Sequence, residues 1–383
     1  MPAPTNVFDP ALYATVRRPV EEAWNLPRWC YNDPGFFDRE LDRIFRKEWL
    51  CVARDEQLAA PGDYLALDIT RTPVLLVRGE DGIARAFANT CRHRGCIVAR
   101  GSGNRKDFTC PYHSWMYGLD GALLSAPTDM EDSVGFDTAD FGLIPIRLER
   151  WAGFLFLNFA RDAPGLAVHL GNLPELLRPY ACDGMRIARR LDSDVACNWK
   201  LYVENLKDAH HVATVHARSI NAYASTRKYW REVQATTGNL VSTFMGYPGS
   251  AALLQGDTGF PSIASLKDHT LGTTAPLIFP NMYLSCTTDC AWYIIVHPVA
   301  PDRCRVEQGA MFPRSVFQRA DFRELLPRYL ARFDMTQAED NEICELQHRG
   351  LLSPEARPGR YSVREGLVHR TVNWILDRVL DPA

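Results

Sequence analysis

The densest chemistry in this sequence lies in "CRHRGCIVARGSGNRKDFTCPYHSW", Cys91 to Trp115. It reads Cys91-x-His93, then sixteen residues, then Cys110-x-x-His113. Two thiolates and two imidazoles suit either tetrahedral zinc or a [2Fe–2S] cluster. Their order separates the two. Zinc fingers commonly pair two cysteines and then two histidines, whereas each short loop here supplies one of each. A cluster in which one iron takes both cysteines and the other both histidines is served by two such loops at once. Neutral imidazoles in place of two thiolates raise the potential to about −150 to +300 mV, against about −400 mV for plant-type ferredoxins. Such a centre is suited to taking an electron from a reduced carrier and passing it on. Cys96 is off pattern and reads as a small core residue, and Pro111 and Trp115 read as packing that shields the cluster.

A second constellation is "ENLKDAHHVATVH", Glu204 to His216. On an ideal helix Asp208 and His211 fall within roughly 40° of the direction of Glu204, while His210 points roughly 120° away. If Asp208 belongs to the site, His211 is its partner and His210 is not. His216 lies roughly 140° round from His211, so the two can share a metal only if the helix ends, bulges or unwinds between them. H-x₄-H alone is a weak motif. Two histidines and one carboxylate on a triangular face, with open positions opposite, suit a non-haem Fe(II) that binds O₂ and substrate together. "FDMTQAEDNEICELQ" (Phe333 to Gln347) supplies a candidate third ligand. Phe333, Gln337, Asp340, Cys344 and Gln347 share one helical face, and Glu339, Glu342 and Glu345 point away from it. Asp340 is then the only acid facing inward. A metal would resolve the cost of burying it; a hydrogen-bonded structural carboxylate is the alternative.

The elements that must position these residues read as α+β. Residues 8 to 48 are helical in pieces, with a start at Asp33-Pro34 and an apolar stripe of Phe37, Leu41, Ile44 and Leu50. From Trp49 to about Phe159 short strands take over. "TPVLLVRGEDGIARAFANT" is two strands about a Glu-Asp-Gly turn, and "WMYGLDGALL" is a hairpin about Asp120-Gly121. "RWAGFLFLNFA", Arg150 to Ala160, reads as one apolar strand leading out. Beyond it helices ("LPELLRPYA", "PRYLARFDMTQAEDNEICELQ") alternate with strands ("NMYLSCTT", "AWYIIVHPVA"). The expected division is an N-terminal helical segment over 1–45 packing on the catalytic part, a small all-β cluster domain over 46–158, and a catalytic domain over 159–383. The last should carry a mainly antiparallel sheet covered by helices.

Composition narrows the class. Hydrophobic residues make up 46% and charged residues 23% of 383, an ordinary globular balance. The net charge of −3 and the lack of a basic run argue against a nucleic-acid surface. The N-terminus lacks the apolar core of a signal peptide, and no stretch nears the roughly 18 apolar residues of a membrane span. Eleven cysteines scattered through a long chain do not resemble a disulfide scaffold. A cytoplasmic protein with mostly reduced thiols is expected.

The cluster motif, followed about a hundred residues later by Asp-x-x-His-x₄-His, resembles the oxygenase (alpha) subunit of Rieske non-haem iron oxygenases. The resemblance spans nearly the whole chain. It implies that Cys91, His93, Cys110 and His113 carry the Rieske [2Fe–2S] cluster and that His211, His216 and Asp340 hold a mononuclear iron. It implies that Asp208 links the cluster of one subunit to the iron of its neighbour in a homotrimer. The sequence departs from the family in placing His210 where Tyr is frequent. The implied chemistry is O₂ activation with NAD(P)H electrons delivered by a separate reductase, since the chain has no Gly-x-Gly-x-x-Gly fingerprint of its own. Rival readings are a Rieske electron-transfer protein, which leaves the second constellation unexplained, and a structural zinc protein.

"EDNEICELQHRGLLSPEARPGRYS" resembles the branch containing choline, carnitine and betaine monooxygenases, with aromatic-ring hydroxylases acting on aromatic acids as the alternative. A quaternary ammonium substrate would favour an aromatic cage, for which Phe244, Phe279, Tyr283, Trp292 and Tyr293 are available. Alternation in "AWYIIVHPVA" sets Trp292 and Tyr293 on opposite faces without saying which face lines a pocket.

Overall fold

The computed structural model describes residues 4–208, 210–220, 230–246, 250–254, 257–267 and 271–381. The chain divides into two compact units, one of residues 46–163 and one combining 1–45 with 164–383.

The smaller unit is built from short antiparallel strands. Its seven-stranded sheet runs, in spatial order, Leu50–Arg54, Phe154–Asn158, Pro145–Trp151, Ala84–Ala88, Thr72–Arg78, Asp63–Ile69 and Ser102–Asn104. A three-stranded sheet of Phe108–Thr109, Met116–Tyr117 and Leu123–Ser125 accompanies it. The turns at Gly82 and Gly121 both have positive φ, which glycine adopts without a Cβ penalty. The segment Arg150 to Ala160 is not one strand. Ala152 and Gly153 both have positive φ, the backbone of a tight hairpin turn, and Phe154 pairs back with Trp151. The core gathers Leu75, Val77, Phe87, Phe108, Trp115 and Tyr117 around Cys91 and Cys110.

The larger unit has a second seven-stranded antiparallel sheet. Its order is Met185–Val195, Arg303–Pro313, Ala291–Ala300, Met282–Cys286, Gly272–Ile278, Leu240–Gly246 and Trp230–Gln234. The short helix Trp199–Asn205 packs against both the strand Ala291–Ala300 and the long helix Phe322–Leu352, and it also meets the C-terminal helix Gly366–Leu380. The first eight residues of Ala291–Ala300 are all buried, so both of its faces are covered. Residues near the N-terminus join this unit by polar contacts. Arg17 pairs with Asp377 at 2.6 Å, and Asp33 caps the helix Pro34–Glu40 by accepting from the Phe36 amide. Lys200 and Glu40, both fully buried, form an ion pair of 2.7 Å. Among the described residues no helix is long and apolar enough to cross a membrane. All eleven cysteines are free.

Candidate metal centres

The two Cys/His loops of the smaller unit share one backbone design. The amide of Cys91 donates to the carbonyl of Cys96 (2.8 Å) and Gly95 N donates back to Cys91 O (2.9 Å). In the second loop Cys110 N donates to Trp115 O (2.7 Å) and Ser114 N to Cys110 O (3.0 Å). The residue four after each cysteine, Gly95 or Ser114, has positive φ. Each loop is thus closed on itself, and the side chains between are pushed outward. His93 and His113 bring their Nδ1 atoms to 3.1 Å of each other, while Cys91 and Cys110 are buried.

Two imidazoles presenting the same nitrogen to one point, beside two buried thiols, fit one iron of a [2Fe–2S] cluster taking both histidines and the other both cysteines. Burial, then the neighbouring His113 and Arg94, lower the pKa of His93, which favours the neutral imidazole a metal needs. Trp115 is buried and stacks on the His93 ring at 5.2 Å and 4°. The Tyr117 hydroxyl accepts from Arg92 N at 2.9 Å and lies 3.3 Å from Cys91 Sγ. Cys96 is half-buried and packs against the same core. Pro111, expected to shield the cluster, is exposed instead.

In the larger unit the helix beginning at Trp199 stops at Asn205 and does not continue to His216. The carboxylate of Asp208 accepts from the His210 and His211 amides at 2.7 and 3.2 Å and so opens the single 3-10 turn His211–Ala213. This break carries His211 and His216 to the same side, with ring centroids 4.9 Å apart. Glu204 takes no part. It is buried against Tyr31, whose hydroxyl donates to it at 3.0 Å.

Asp340, on the long helix, completes the group. Its Oδ1 lies 3.1 Å from His216 Nε2 and 3.6 Å from His211 Nε2. One donor atom from each of the three residues falls within 4.8 Å of the others. Two imidazoles and one carboxylate, all converging, fit a facial site for non-haem iron. The outer nitrogens also meet carboxylates. His211 Nδ1 is 3.5 Å from Asp208 Oδ2, and His216 Nδ1 is 2.8 Å from Glu339 Oε2. Metal-binding histidines commonly have such partners, which fix the tautomer and orient the ring.

Burial alone would raise the Asp208 carboxyl, but the His211 imidazole and the two amides outweigh it and hold the pKa at about 2. Burial alone would lower His216, yet Asp340 and then Glu339 carry it upward. Sequence phase set Glu339 aside as outward-facing. It is half-buried, and Ser219 Oγ also donates to it at 2.5 Å. Asn205, which sequence gave no reason to single out, donates to Asp340 Oδ1 at 2.7 Å. Of the other acids set aside, Glu345 accepts from the Ala196 amide. Gln347, expected on the inner face, is exposed, and His348 is buried in its place.

The three converging residues open on a cavity of about 880 Å³. Trp292 and Tyr283 line it, whereas Phe244, Phe279 and Tyr293 do not. Tyr293 lies on the other face of its strand and donates to Glu307 at 2.8 Å.

Comparison with known proteins agrees with both halves. Residues 48–138 match the Rieske [2Fe-2S] domain, and residues 182–381, more than half the chain, match the ring hydroxylating alpha subunit (catalytic domain). A glycine betaine monooxygenase oxygenase subunit of Chromohalobacter salexigens is 29% identical over 93% of this chain and 86% of its own length. The chloroplastic choline monooxygenase of Beta vulgaris is 28% identical over 94% and 77%. The solved structure of a quaternary ammonium Rieske monooxygenase, described for carnitine oxidation by gut microbiota, superposes with a TM-score of 0.78. It is 25% identical, covering 93% of this chain and 95% of that one. This chain belongs to the ring-hydroxylating alpha-subunit family and is the terminal oxygenase, carrying a Rieske [2Fe–2S] cluster and a mononuclear iron, of a system that draws electrons from a separate reductase.

Proposed function

We propose that His211, His216 and Asp340 hold the mononuclear iron, that Cys91, His93, Cys110 and His113 hold the cluster, and that the substrate is a small trimethylammonium compound. The convergence of two imidazole nitrogens and one carboxylate oxygen within 4.8 Å, at the wall of a large cavity, carries the reading. Iron bound there supplies O₂ activation for insertion into a C–H bond. The chain's own residues set the geometry. Asp208 and Glu339 engage the outer nitrogens, which would leave each Nε2 to hold the iron. Asn205 donates to Asp340 Oδ1 and limits how that carboxylate turns.

The substrate reading rests on relatives named for glycine betaine and choline. Hydroxylation falls on a carbon bonded to the quaternary nitrogen. One oxygen atom enters the C–H bond, the other leaves as water, and two electrons come from NAD(P)H through the reductase. The carbinol then collapses to an aldehyde as its C–N bond breaks, the electron pair leaving with the nitrogen as a tertiary amine and the hydroxyl proton passing to solvent.

Asp208 is the acid through which one subunit's cluster serves its neighbour's iron in a homotrimer. The nine cysteines outside the proposed cluster, none of them in a disulfide, support a cytoplasmic setting. The test is NADH- and substrate-dependent O₂ uptake with a matched reductase, using betaines and aromatic acids. Uptake with aldehyde formation from a trimethylammonium compound is expected. Uptake with aromatic acids alone would overturn the substrate reading.

A further inference from the structure

Among the described residues, cations outnumber carboxylates on the cavity wall. Lys207, Arg332, Arg364 and Arg370 line it. Its carboxylates Asp208 and Asp340 are engaged with His211 and with the histidine Nε2 atoms. The two aromatic rings that could receive an ammonium group already face the protein's own cations. Lys207 Nζ stands 5.4 Å from the Tyr283 ring, and the Arg332 guanidinium stands 4.6 Å from the Trp292 ring. A ligand with only a positive charge meets like charge at both.

Arg332 is the best placed of the four. It is 4% exposed, so its charge sits where water screens it little. Its guanidinium lies 4.6 Å from the Trp292 ring, and Trp292 is itself stacked on Phe333 at 4.9 Å. A guanidinium presents a donor fork that suits bidentate recognition of a carboxylate. Arg332, Thr336 and Asp340 follow one another at four-residue intervals on the helix Phe322–Leu352, and all three line the cavity. Arg332 is therefore two turns, about 12 Å of helix axis, from the proposed iron ligand. Both residues therefore face one cavity from the same helix, with Arg332 set apart from the proposed iron ligand along its axis.

We propose that Arg332 reads a carboxylate on the substrate, so that the enzyme takes zwitterionic betaines and discriminates against choline, which bears the same head without an anion. This rests on the trimethylammonium reading above and names the group that completes it.

The experiment measures binding by calorimetry, and turnover with the reductase, for glycine betaine, γ-butyrobetaine and choline. Full-length wild type, Arg332→Gln and Arg332→Lys are compared, with melting temperature and visible spectrum as checks of fold. At least one zwitterion should bind the wild type tenfold or more better than choline. Arg332→Gln should lose that advantage, about thirtyfold for the zwitterion and under twofold for choline. Arg332→Lys, which keeps the charge without the fork, should retain fold and lose about tenfold for the zwitterion alone.

Equal losses for zwitterion and choline would reduce Arg332 to a support for Trp292 and overturn the proposal, as would no loss in either variant. Should no trimethylammonium compound bind the wild type while an aromatic carboxylate binds in an Arg332-dependent way, carboxylate reading by Arg332 stands. The trimethylammonium reading then falls, and the zwitterion assignment falls with it.

Discussion

The two candidate metal sites are assembled in opposite ways. The four cluster residues come from two loops within Cys91 to His113, and each loop is closed by its own backbone hydrogen bonds. The three residues at the cavity come from a broken helix and from a second helix more than a hundred residues later, and no local turn brings Asp340 to the two histidines. What ties them is tertiary: Asn205 to Asp340, and Glu339 to His216 and Ser219. The first site is a rigid insert that local turns can preform. The second exists only when the larger unit is packed.

Single substitutions should therefore separate the sites. The largest effect is expected for Asp340→Ala. Losing one of three ligands should abolish the mononuclear iron and reduce turnover at least a thousandfold, while the cluster's visible and EPR spectra stay intact. Cys110→Ser should do the reverse, bleaching the cluster and leaving an Fe(II) site that still takes up one metal ion. Metal analysis beside EPR checks both. Loss of both centres in either variant would break the claim of independence.

Asp208→Ala comes next. Both metals should remain, but NADH-driven turnover should fall by about ten- to a hundredfold, the usual cost of removing a carboxylate behind a metal-bound histidine. A drop in coupled turnover with unchanged iron content supports the linking role, and full activity in this variant contradicts it.

Glu339→Gln sharpens the comparison further. The amide can still approach His216 Nδ1 but holds its tautomer less firmly, so iron affinity should weaken by about tenfold. The exposed neighbour Glu342, changed to Gln, should leave affinity unchanged. Competition with a chelator of known affinity reads the difference.

The smallest effect is expected at the cluster. Tyr117→Phe removes a hydroxyl 3.3 Å from Cys91 Sγ. One hydrogen bond is worth about 1 kcal/mol, on the order of 40 mV for a one-electron couple. Because hydrogen bonds to sulfur favour the reduced state, the potential should fall by about that amount. Spectroelectrochemistry checks it.

How much could be read beforehand follows the same divide. The cluster candidates stood out because their types and spacing lie in one short window, and the hairpin turns at Gly82 and Gly121 were legible because glycine marks them. Arg150 to Ala160 misled because its turn, Ala152-Gly153, is flanked by apolar residues that read as one run. Glu204 shares a helical direction with Asp208 yet is taken up by Tyr31, a partner distant in sequence that local phase does not reveal. Glu339 was set aside because phase gives a direction around one helix axis and not what stands in that direction; His216 does. The lining face of Ala291–Ala300 was unreadable because both faces are buried and apolar. Arg332 escaped notice because a single arginine amid aromatic residues has no spacing signature.

The central claim is that one chain holds two separate iron centres. Visible and EPR spectra of the anaerobically purified protein, with iron and acid-labile sulfide counted per chain, test it most directly. The account predicts a Rieske spectrum with about three irons and two sulfides per chain, the third iron lost selectively in Asp340→Ala. A colourless protein holding zinc, or one that keeps two irons and takes up no third on reconstitution with Fe(II), would contradict it.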